Sequence, residues 1–338
     1  MLSPRTKRNL KKELRQSGLA KLGIVIFAVI SFVAVFAPFL APHDPTAQHL
    51  SKKLLPPIGF SKVTTQTTSK MVNGSIQTVT TKKMVNATWA YPLGTDPLGR
   101  GMLSRVIYGA RTSLVVGLAG TAVAALIGVP VGMAAGYVGG KVDDALMRSA
   151  DIMLAFPSLV LAVALVGLFG RATIWVPDPW VKLGLAAETM PEAFAVPGTV
   201  ILVVGLVNWV WLARVARGEA LTVSEEEYVK AAKSVGASDV RVVARHVLPN
   251  SITPILVLAT IQVAAIILLE SSLAFLGFSG TTLSWGFDIA QGRQYLATAW
   301  WVATIPGLAI VFSVISVNLI GDWLRDALDP GIEGEGGV

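Results

Sequence analysis

The sequence predicts an all-α polytopic membrane protein with six transmembrane helices, and its composition and residue pattern support this fold class. Hydrophobic residues make up 53% of the 338 residues and charged residues 14%, and the mean hydropathy is +0.63; a soluble domain is usually about a quarter charged. Several apolar runs are long enough for the roughly 20 helical residues that cross a hydrocarbon core. The basic residues, which give a net charge of +7, collect beside these runs, a pattern that indicates orientation in a membrane and not nucleic-acid binding.

The first predicted helix, TM1, covers about residues 22–41 and follows a basic N-terminal segment, residues 1–21. A cleaved signal peptide is the alternative. However, the apolar run is longer than a usual signal-peptide core, and Pro38 and Pro42 stand where a small-residue cleavage site would be. We therefore expect an uncleaved span.

The other five spans make up the transmembrane core expected over residues 112–322, at about 112–138, 150–169, 197–216, 250–273 and 302–321. The second span carries a series of glycines, namely Gly117, Gly120, Gly128, Gly132 and Gly136. Small residues let helix backbones approach closely inside a membrane, so the series indicates close helix packing. The alternative is the ordinary tolerance of membrane helices for glycine.

The distribution of lysine and arginine predicts the orientation. A short basic N-terminal segment stays in the cytoplasm, and six spans return the C-terminal tail, residues 323–338, to the same side. The loop over residues 42–111 is then extracellular and the polar segment 217–249 is cytoplasmic. The absence of cysteine from the sequence excludes disulfides and thiolate metal sites.

Each of the two extracellular insertions has its own pattern. The middle of the first loop is rich in threonine, and its alternation predicts a β-hairpin that turns at Asn73-Gly74. The second insertion, residues 170–196, is rich in tryptophan and proline, and we expect it to lie along the membrane interface.

The polar segment begins with the signals of a short helix. Ser224 is followed three residues later by Glu227, which matches a capping box, and Gly236 supplies the left-handed residue that often follows a helix end. A second helix, capped by Ser238 or Asp239, is expected to end near Leu248, before a proline.

The first of these helices carries a surface of small residues at Ala231 and Ala232. Such a surface allows close packing, and on the cytoplasmic side the packing partner would be another protein. An amphipathic helix resting on lipid headgroups is the alternative, but the apolar face is small and the first turn is acidic.

The spacing of this segment resembles the EAA loop of ABC importer permeases: Ala231-Ala232, three residues, Gly236, nine residues, and then His246-Val247-Leu248-Pro249. Two positions differ, because Lys230 replaces the glutamate of the motif and His246 replaces the isoleucine. Further stretches are similar to the C-type permease subunit of the dipeptide/oligopeptide/nickel importer family: YPLGTDPLGRGMLSRVIYGARTSL (91–114), AGYVGGKVDDALMRSADIMLAFPSLVLA (135–162), LLESSLAFLGF (268–278) and NLIGDWLRDALDP (318–330). Gly101 stands where the family usually has an acidic residue.

The resemblance implies the type I ABC importer permease fold, with a cytoplasmic coupling helix that docks on an ATPase subunit. The implied coupling residues are Tyr228, Ala231, Ala232, Gly236 and Ala237. The implied partners are a second homologous permease subunit, two ABC ATPase subunits that bind ATP and Mg²⁺, an extracellular solute-binding protein and membrane lipid. The implied location is the cell membrane, plasma or inner.

The sequence itself lacks the chemistry of an ATPase. It contains no G-x-x-x-x-G-K-[ST] phosphate loop, and Gly139-Gly140-Lys141-Val142 has neither its spacing nor its hydroxyl. No His, Asp and Glu residues have metal-ligand spacing. We therefore expect no enzyme activity, cofactor or metal in this chain.

The translocation path or its gate is predicted at the end of the fifth span. Glu270 is the one acidic residue inside an apolar run, and ionisable groups within membranes are usually functional. Ser271 and Phe275 are its neighbours in the proposed gate. The alternative is a buried structural carboxyl. Weaker candidates are Arg148, Asp151, Asn208 and Asn318.

Two other interpretations of function remain open at the level of sequence. An ion-coupled secondary transporter would carry its machinery in one chain, usually with internal repeats, and none is convincing here. Within the resembled family, oligosaccharides or nickel could replace di- and oligopeptides as cargo. Nickel is disfavoured, because none of the three histidines (His43, His49 and His246) lies in a predicted span.

Overall fold

The computed structural model describes residues 10, 12–72, 75–280 and 282–328, and only the backbone of residues 64–72 and 75–83. In chain order its helices are α1 (Gly18–Val35), α2 (Ala37–Leu40), α3 (Met102–Val138), α4 (Gly140–Leu154), α5 (Ser158–Phe169), α6 (Pro179–Lys182), α7 (Gly198–Ser224), α8 (Glu227–Ser234), α9 (Asp239–Val242), α10 (Leu248–Phe275), α11 (Trp285–Gly292) and α12 (Trp301–Leu328). Short 3₁₀ turns cover Leu50–Lys52 and Arg293–Tyr295.

In this described part of the chain, five helical stretches are long and apolar enough to cross a membrane, and the bent pair α4–α5 makes a sixth. The prediction of six spans is therefore compatible with the fold. Because successive spans run in opposite directions, the first outer loop and α8 lie at opposite ends of the bundle. We call these the hairpin end and the α8 end.

Helix α3 begins ten residues before the predicted start of the second span, at Met102, so the preceding loop ends at residue 101 and not at 111. The hydropathy pattern misses this extension because it contains two arginines, Arg105 and Arg111. Both are buried and paired: Arg105 donates to the Asp288 carboxylate, and Arg111 donates to the Asp178 carboxylate. Charges that are neutralised inside the protein do not end a helix.

The third span, predicted as one helix over residues 150–169, is broken. Helices α4 and α5 meet at a bend of 93°. Pro157 stands at this break, as the residue before α5. Proline disfavours helical geometry in the residue before it, here Phe156, and the predicted continuous helix is therefore wrong.

The last span also differs from its prediction. Helix α12 continues to Leu328, whereas the sequence predicted a helix end near 321 and a tail over 323–338. The first part of the predicted tail is thus helical, and residues 329–338 lie outside the described residues. Residues 1–9 and 11 of the predicted N-terminal segment lie outside them too.

The predicted hairpin in the first loop is confirmed. Strand β1 (Ser61–Val72) pairs antiparallel with β2 (Ser75–Asn86) in a register that joins Val72 to Ser75. The predicted turn residues Asn73 and Gly74 lie outside the described residues, between the two strands.

The second insertion forms a smaller antiparallel pair, β3 (Thr173–Pro177) with β4 (Ala193–Pro197). Its connection is fixed to the bundle: the Trp180 indole donates to the Val35 carbonyl at 2.9 Å and its ring stacks on Phe36 at 5.3 Å between centroids. The segment therefore covers the ends of α1 and α3. Its position along the membrane interface stays a prediction.

Helices α3 and α7 form the closest pair of the bundle. A Cβ atom added at Gly128, Gly132 or Gly136 would overlap the backbone carbonyl oxygens of α7, those of Trp209, Ala213 and Arg217 respectively. The predicted role of these glycines in close helix approach is confirmed. This packing holds the last turn of α3 beside the polar segment.

Candidate functional site

The polar segment folds as two short helices at the α8 end, but its beginning differs from the prediction. Ser224 is the last residue of α7, and its hydroxyl donates to the Ala220 carbonyl one turn earlier. The residue before α8 is Glu226, whose side chain makes no capping hydrogen bond. The predicted capping box is therefore wrong, because α7 continues about two turns beyond the predicted end at 216 and occupies the Ser224 hydroxyl.

The end of α8 is formed as predicted. Gly236 has φ +84°. Its N–H donates to the Lys233 carbonyl at 2.9 Å, and the Ala237 N–H donates to the Ala232 carbonyl at 3.2 Å. These two bonds define a Schellman motif. No atom lies within 4 Å of a Cβ added at Gly236, so the backbone conformation, and not space, requires glycine here.

The predicted second helix does not stop before Pro249. Ser238 precedes α9, and a π-helical turn over Val243–Val247 then joins α9 directly to α10. Pro249, which has no N–H to donate, falls in the first turn of α10, directly after this π-helical turn. The polar segment is thus continuous with a membrane span.

One face of the segment is anchored in the protein. Beyond the end of α7, its buried residues are Val229, Val242 and Val247, and they pack in one cluster with Ala213, Ala216 and Ala220 of α7. Ala232 and Ala237 lie half-buried against this cluster. These five residues hold the segment rigidly against α7 and the start of α10.

The opposite face is exposed and carries apolar side chains among charged ones. Val235 is 86% exposed and Val240 is 81% exposed, and both flank the Gly236 turn. Tyr228 and Ala231 are also exposed. The predicted small-residue surface is therefore divided, because Ala231 is exposed to solvent and Ala232 is half-buried against the bundle. The sequence analysis missed the two valines, although apolar residues on both sides of a predicted polar turn were the available signal.

A tyrosine of α3, Tyr137, contacts residues on both sides of the Gly236 turn. The Tyr137 hydroxyl donates to Asp239 Oδ1 at 2.8 Å, and Lys233 Nζ lies 4.2 Å from the centroid of the tyrosine ring. Lys233 precedes Gly236 and Asp239 follows it, so one side chain contacts both helices of the segment. The sequence analysis did not single out Tyr137.

The predicted gate residues lie near the hairpin end of α10. Glu270 is fully buried, and its Oε2 accepts from the Ser113 and Ser271 hydroxyls at 3.5 and 3.4 Å. Ser271 and Phe275 line a cavity of about 350 Å³ with α5 and α11. The structure thus brings Ser271 and Phe275 to one surface and places the Glu270 carboxyl behind it. Their role as a gate stays a prediction.

In the described ranges, no group of three or more His, Cys, Asp and Glu residues is arranged to hold a metal ion.

Residues 128–334 match the family model described as the binding-protein-dependent transport system inner membrane component. This range includes every helix from α4 to α12 and the whole polar segment. The chain belongs to this family. Residues 9–57 of the permease match a second model, the N-terminal transmembrane domain of oligopeptide transport permease C.

Curated relatives extend the match over almost the full length of the permease. It is 34% identical to the di/tripeptide transport system permease protein DppC of Pseudomonas aeruginosa, with 92% of this chain and 88% of the relative covered. It is also 34% identical to the probable D,D-dipeptide transport system permease protein DdpC of Escherichia coli, with coverage of 95% and 91%. A chain of the inward-facing MetNI methionine ABC transporter is 18% identical with a TM-score of 0.48, covering 68% of the permease and 98% of that chain.

The resemblance drawn from the sequence motifs is therefore confirmed. The protein is a permease component of the ABC importer family, with several membrane-spanning helices.

Proposed function

We propose that the permease forms half of the translocation pathway of an ATP-driven importer for di- and oligopeptides in the cell membrane. Its partners in this proposal are a second homologous permease subunit, two ABC ATPase subunits and an extracellular solute-binding protein. Both termini are cytoplasmic, so the α8 end faces the ATPases and the hairpin end faces the binding protein. ATP and Mg²⁺ bind in the ATPase subunits, and this chain catalyses no reaction and holds no cofactor.

The anchored polar segment with its exposed apolar tip is the observation that carries the proposal. Buried Val229 and the Tyr137 bridge fix α8 to α7 and α3, and the π-helical turn makes it continuous with α10. A force applied at the tip therefore moves the spans with it. Single exposed apolar side chains are common, but two valines on both sides of one turn, each more than four-fifths exposed (Val235 and Val240), favour a partner protein that covers them.

The coupling residues in this proposal are those of the polar segment, namely Tyr228, Ala231, Ala232, Gly236 and Ala237, together with the two exposed valines. ATP-driven closure of the ATPases would move this unit as a rigid body and switch the cavity between outward and inward access.

Peptides are proposed as substrates because the relatives are named for di- and tripeptide transport and dipeptide transport. Oligosaccharides and nickel are the alternatives within the resembled family. Mass spectrometry of the ligand that copurifies with the cognate solute-binding protein distinguishes the three, and a bound sugar or nickel ion would contradict the peptide assignment.

The gate proposal places Glu270, Ser271 and Phe275 near the outer opening of the pathway. The surface that Ser271 and Phe275 share supports a gate there, with the Glu270 carboxyl supporting that surface from behind.

A cysteine placed at the tip tests the docking of α8. The native chain has no cysteine. Val235→Cys, assembled with cysteine-free partner subunits, therefore provides a single thiol in the complex. We expect this thiol, once labelled with a photoactivatable benzophenone maleimide, to crosslink to the ATPase subunit on irradiation, because the benzophenone inserts into nearby C–H bonds and needs no second thiol. Lys141→Cys, an exposed position on α4 at the same end, is the matched control and is expected to crosslink far less. Equal yields from the two positions would contradict docking through the α8 tip.

A further inference from the structure

A cavity of about 390 Å³ opens where α7 and α10 face the break between α4 and α5. Its polar lining residues are Ser158, Asn208 and Gln262, and its aromatic ones are Phe156 and Trp211. Of these residues, only Asn208 was a candidate in the sequence, and a weak one.

This cavity lies near the middle of the membrane spans. Asn208 follows the start of α7 by ten residues and precedes its end by sixteen. Gln262 follows the start of α10 by fourteen residues and precedes its end by thirteen. At 1.5 Å per residue, Gln262 lies about 20 Å along α10 from Phe275, and the lining residue Leu269 brings the outer edge of this cavity close to the proposed gate.

The two amide side chains are only partly satisfied by the protein. Asn208 Nδ2 donates to the Val204 carbonyl at 2.8 Å, and Gln262 Nε2 donates to the Asn208 backbone carbonyl at 3.5 Å. Within the described ranges, no donor is paired with either side-chain oxygen. A polar group left without a partner in hydrocarbon is costly, so these oxygens indicate that the cavity contains water or a ligand.

The broken helix points to the same conclusion independently. Residues 155–157, between α4 and α5, are exposed, and they lie midway along the bent span. Irregular backbone at membrane depth is tolerated only inside protein or along a water-filled cavity, and broken helices in transporters often mark a substrate site. This face is therefore unsuited to lipid.

The lining chemistry selects the kind of ligand. None of the cavity-lining residues in the described part of the chain is charged. Asparagine and glutamine side chains each donate and accept, as a peptide group does, and the rings of Phe156 (54% exposed) and Trp211 (48% exposed) offer apolar contact to side chains of varied size. Such a surface binds peptide backbone weakly and without sequence preference, which suits passage.

We propose that Asn208, Gln262, Trp211 and the α4–α5 break form this subunit's wall of the translocation path, where the two amides contact the backbone of a passing peptide. This inference rests on the proposed function and assigns residues to it. It places the substrate contacts in the middle of the membrane.

Accessibility tests the location of the wall without any ligand. Phe156→Cys and Trp211→Cys, in the complete complex with cysteine-free partners, are expected to react with a membrane-impermeant, water-soluble thiol reagent. Leu126→Cys on α3, a 75% exposed position that does not line the cavity, is the control for a lipid-facing surface and is expected to react only with a membrane-soluble maleimide. If Phe156→Cys and Trp211→Cys behave like the control, the face meets lipid and the wall is excluded.

Transport tests the ligand class. We expect Asn208→Leu and Gln262→Met each to lower uptake of a radiolabelled dipeptide into proteoliposomes, per ATP hydrolysed, by about tenfold, the size of one lost hydrogen bond, while the variant chains still copurify with the partner subunits. Thr260→Val, on another face of α10 where its hydroxyl donates to the Leu256 carbonyl, is the control and should retain uptake. Normal uptake in both amide variants would overturn the peptide contacts. A wild-type complex that hydrolyses ATP but imports no peptide would instead contradict the proposed substrate itself, whatever the accessibility result.

Discussion

At the scale of single residues, Gly236 and Tyr137 define the turn at the tip of the polar segment. Gly236 gives the turn its left-handed conformation, and Tyr137 contacts both of its sides. Neither contributes to the apolar surface of the tip. Their part in the proposed coupling is to fix the direction in which that surface points.

Gly236→Val is expected to uncouple the complex. A β-branched residue resists positive φ by at least about 1 kcal/mol, so α8 would lengthen or tilt and displace Val235 and Ala231. Membrane insertion and pairing with the second permease should survive, because the spans do not depend on this turn. Transport and binding-protein stimulation of ATP hydrolysis should fall steeply, as measured in proteoliposomes.

The matched variant is Gly236→Asn, since asparagine tolerates the left-handed region, and it should retain most of the coupling. Near-normal stimulation in a fully assembled Gly236→Val complex would remove the polar segment from the coupling path.

Two substitutions at Tyr137 separate its two contacts. Tyr137→Phe removes the hydrogen bond to Asp239 and keeps the ring beneath Lys233, whereas Tyr137→Leu removes both. We expect a reduction of stimulated ATPase by a few-fold in the first variant, because a half-exposed hydrogen bond contributes about 1 kcal/mol, and a larger reduction in the second. Basal ATPase should not change. Equal, wild-type stimulation in both variants would show that the bridge has no role in coupling.

At the scale of elements, the sequence predicted correctly which helices and strands exist, but it placed several of their boundaries wrongly. The spans, the hairpin and the left-handed turn were found, because apolar runs, alternation and glycine are local signals. Besides the break at Pro157 and the later end of α12, three features were missed, because each depends on tertiary partners. The first part of α3 contains Arg105 and Arg111, and buried carboxylates neutralise both. Ser224 belongs to the end of α7 and does not cap α8. The π-helical turn carries the chain past Pro249 into α10.

The candidate site was predicted to a similar extent. The exposed Tyr228 and Ala231 and the turn at Gly236 were available from the motif spacing. Val235, Val240 and Tyr137 required the three-dimensional arrangement of α3 around the turn.

The pairing of α3 with α7 gives a prediction for stability. Gly132→Ala places a methyl group against the Ala213 carbonyl, and such overpacking costs about 1–3 kcal/mol. The variant should lose its folded fraction at a lower temperature than the wild type in a detergent thermal-stability assay. Gly167→Ala on α5, where a Cβ meets nothing within 4 Å, is the control. Equal melting temperatures for the two variants would contradict close α3–α7 packing.

At the scale of the whole molecule, the two ends of the bundle carry different structures. The β1–β2 hairpin and the β3–β4 pair lie at one end, and the polar segment lies at the other. In the proposed orientation the first end receives cargo from a binding protein and the second receives the movement of the ATPases. In this proposal the chain links the movement of the ATPases at the α8 end to the passage of cargo from the hairpin end.

Labelling from the two sides of the membrane tests this orientation. Asn73→Cys in the first loop and Ser238→Cys beside α9 provide single thiols in a chain without native cysteine. We expect an impermeant maleimide to label Asn73→Cys in intact cells and Ser238→Cys only in inverted vesicles, since the strands of the first loop and the helices of the polar segment lie at opposite ends of the bundle. Labelling of both from the same side would overturn the six-span topology.

The central claim is that this chain is the passive half-channel of an ATP-driven importer. The most direct measurement is uptake of a radiolabelled dipeptide into proteoliposomes, compared between the complete complex and this chain alone. We predict uptake that requires ATP, the ATPase subunits and the solute-binding protein, with neither ATP hydrolysis nor uptake by the chain alone. Uptake by the chain alone under an ion gradient, or ATP hydrolysis by it, would contradict the account.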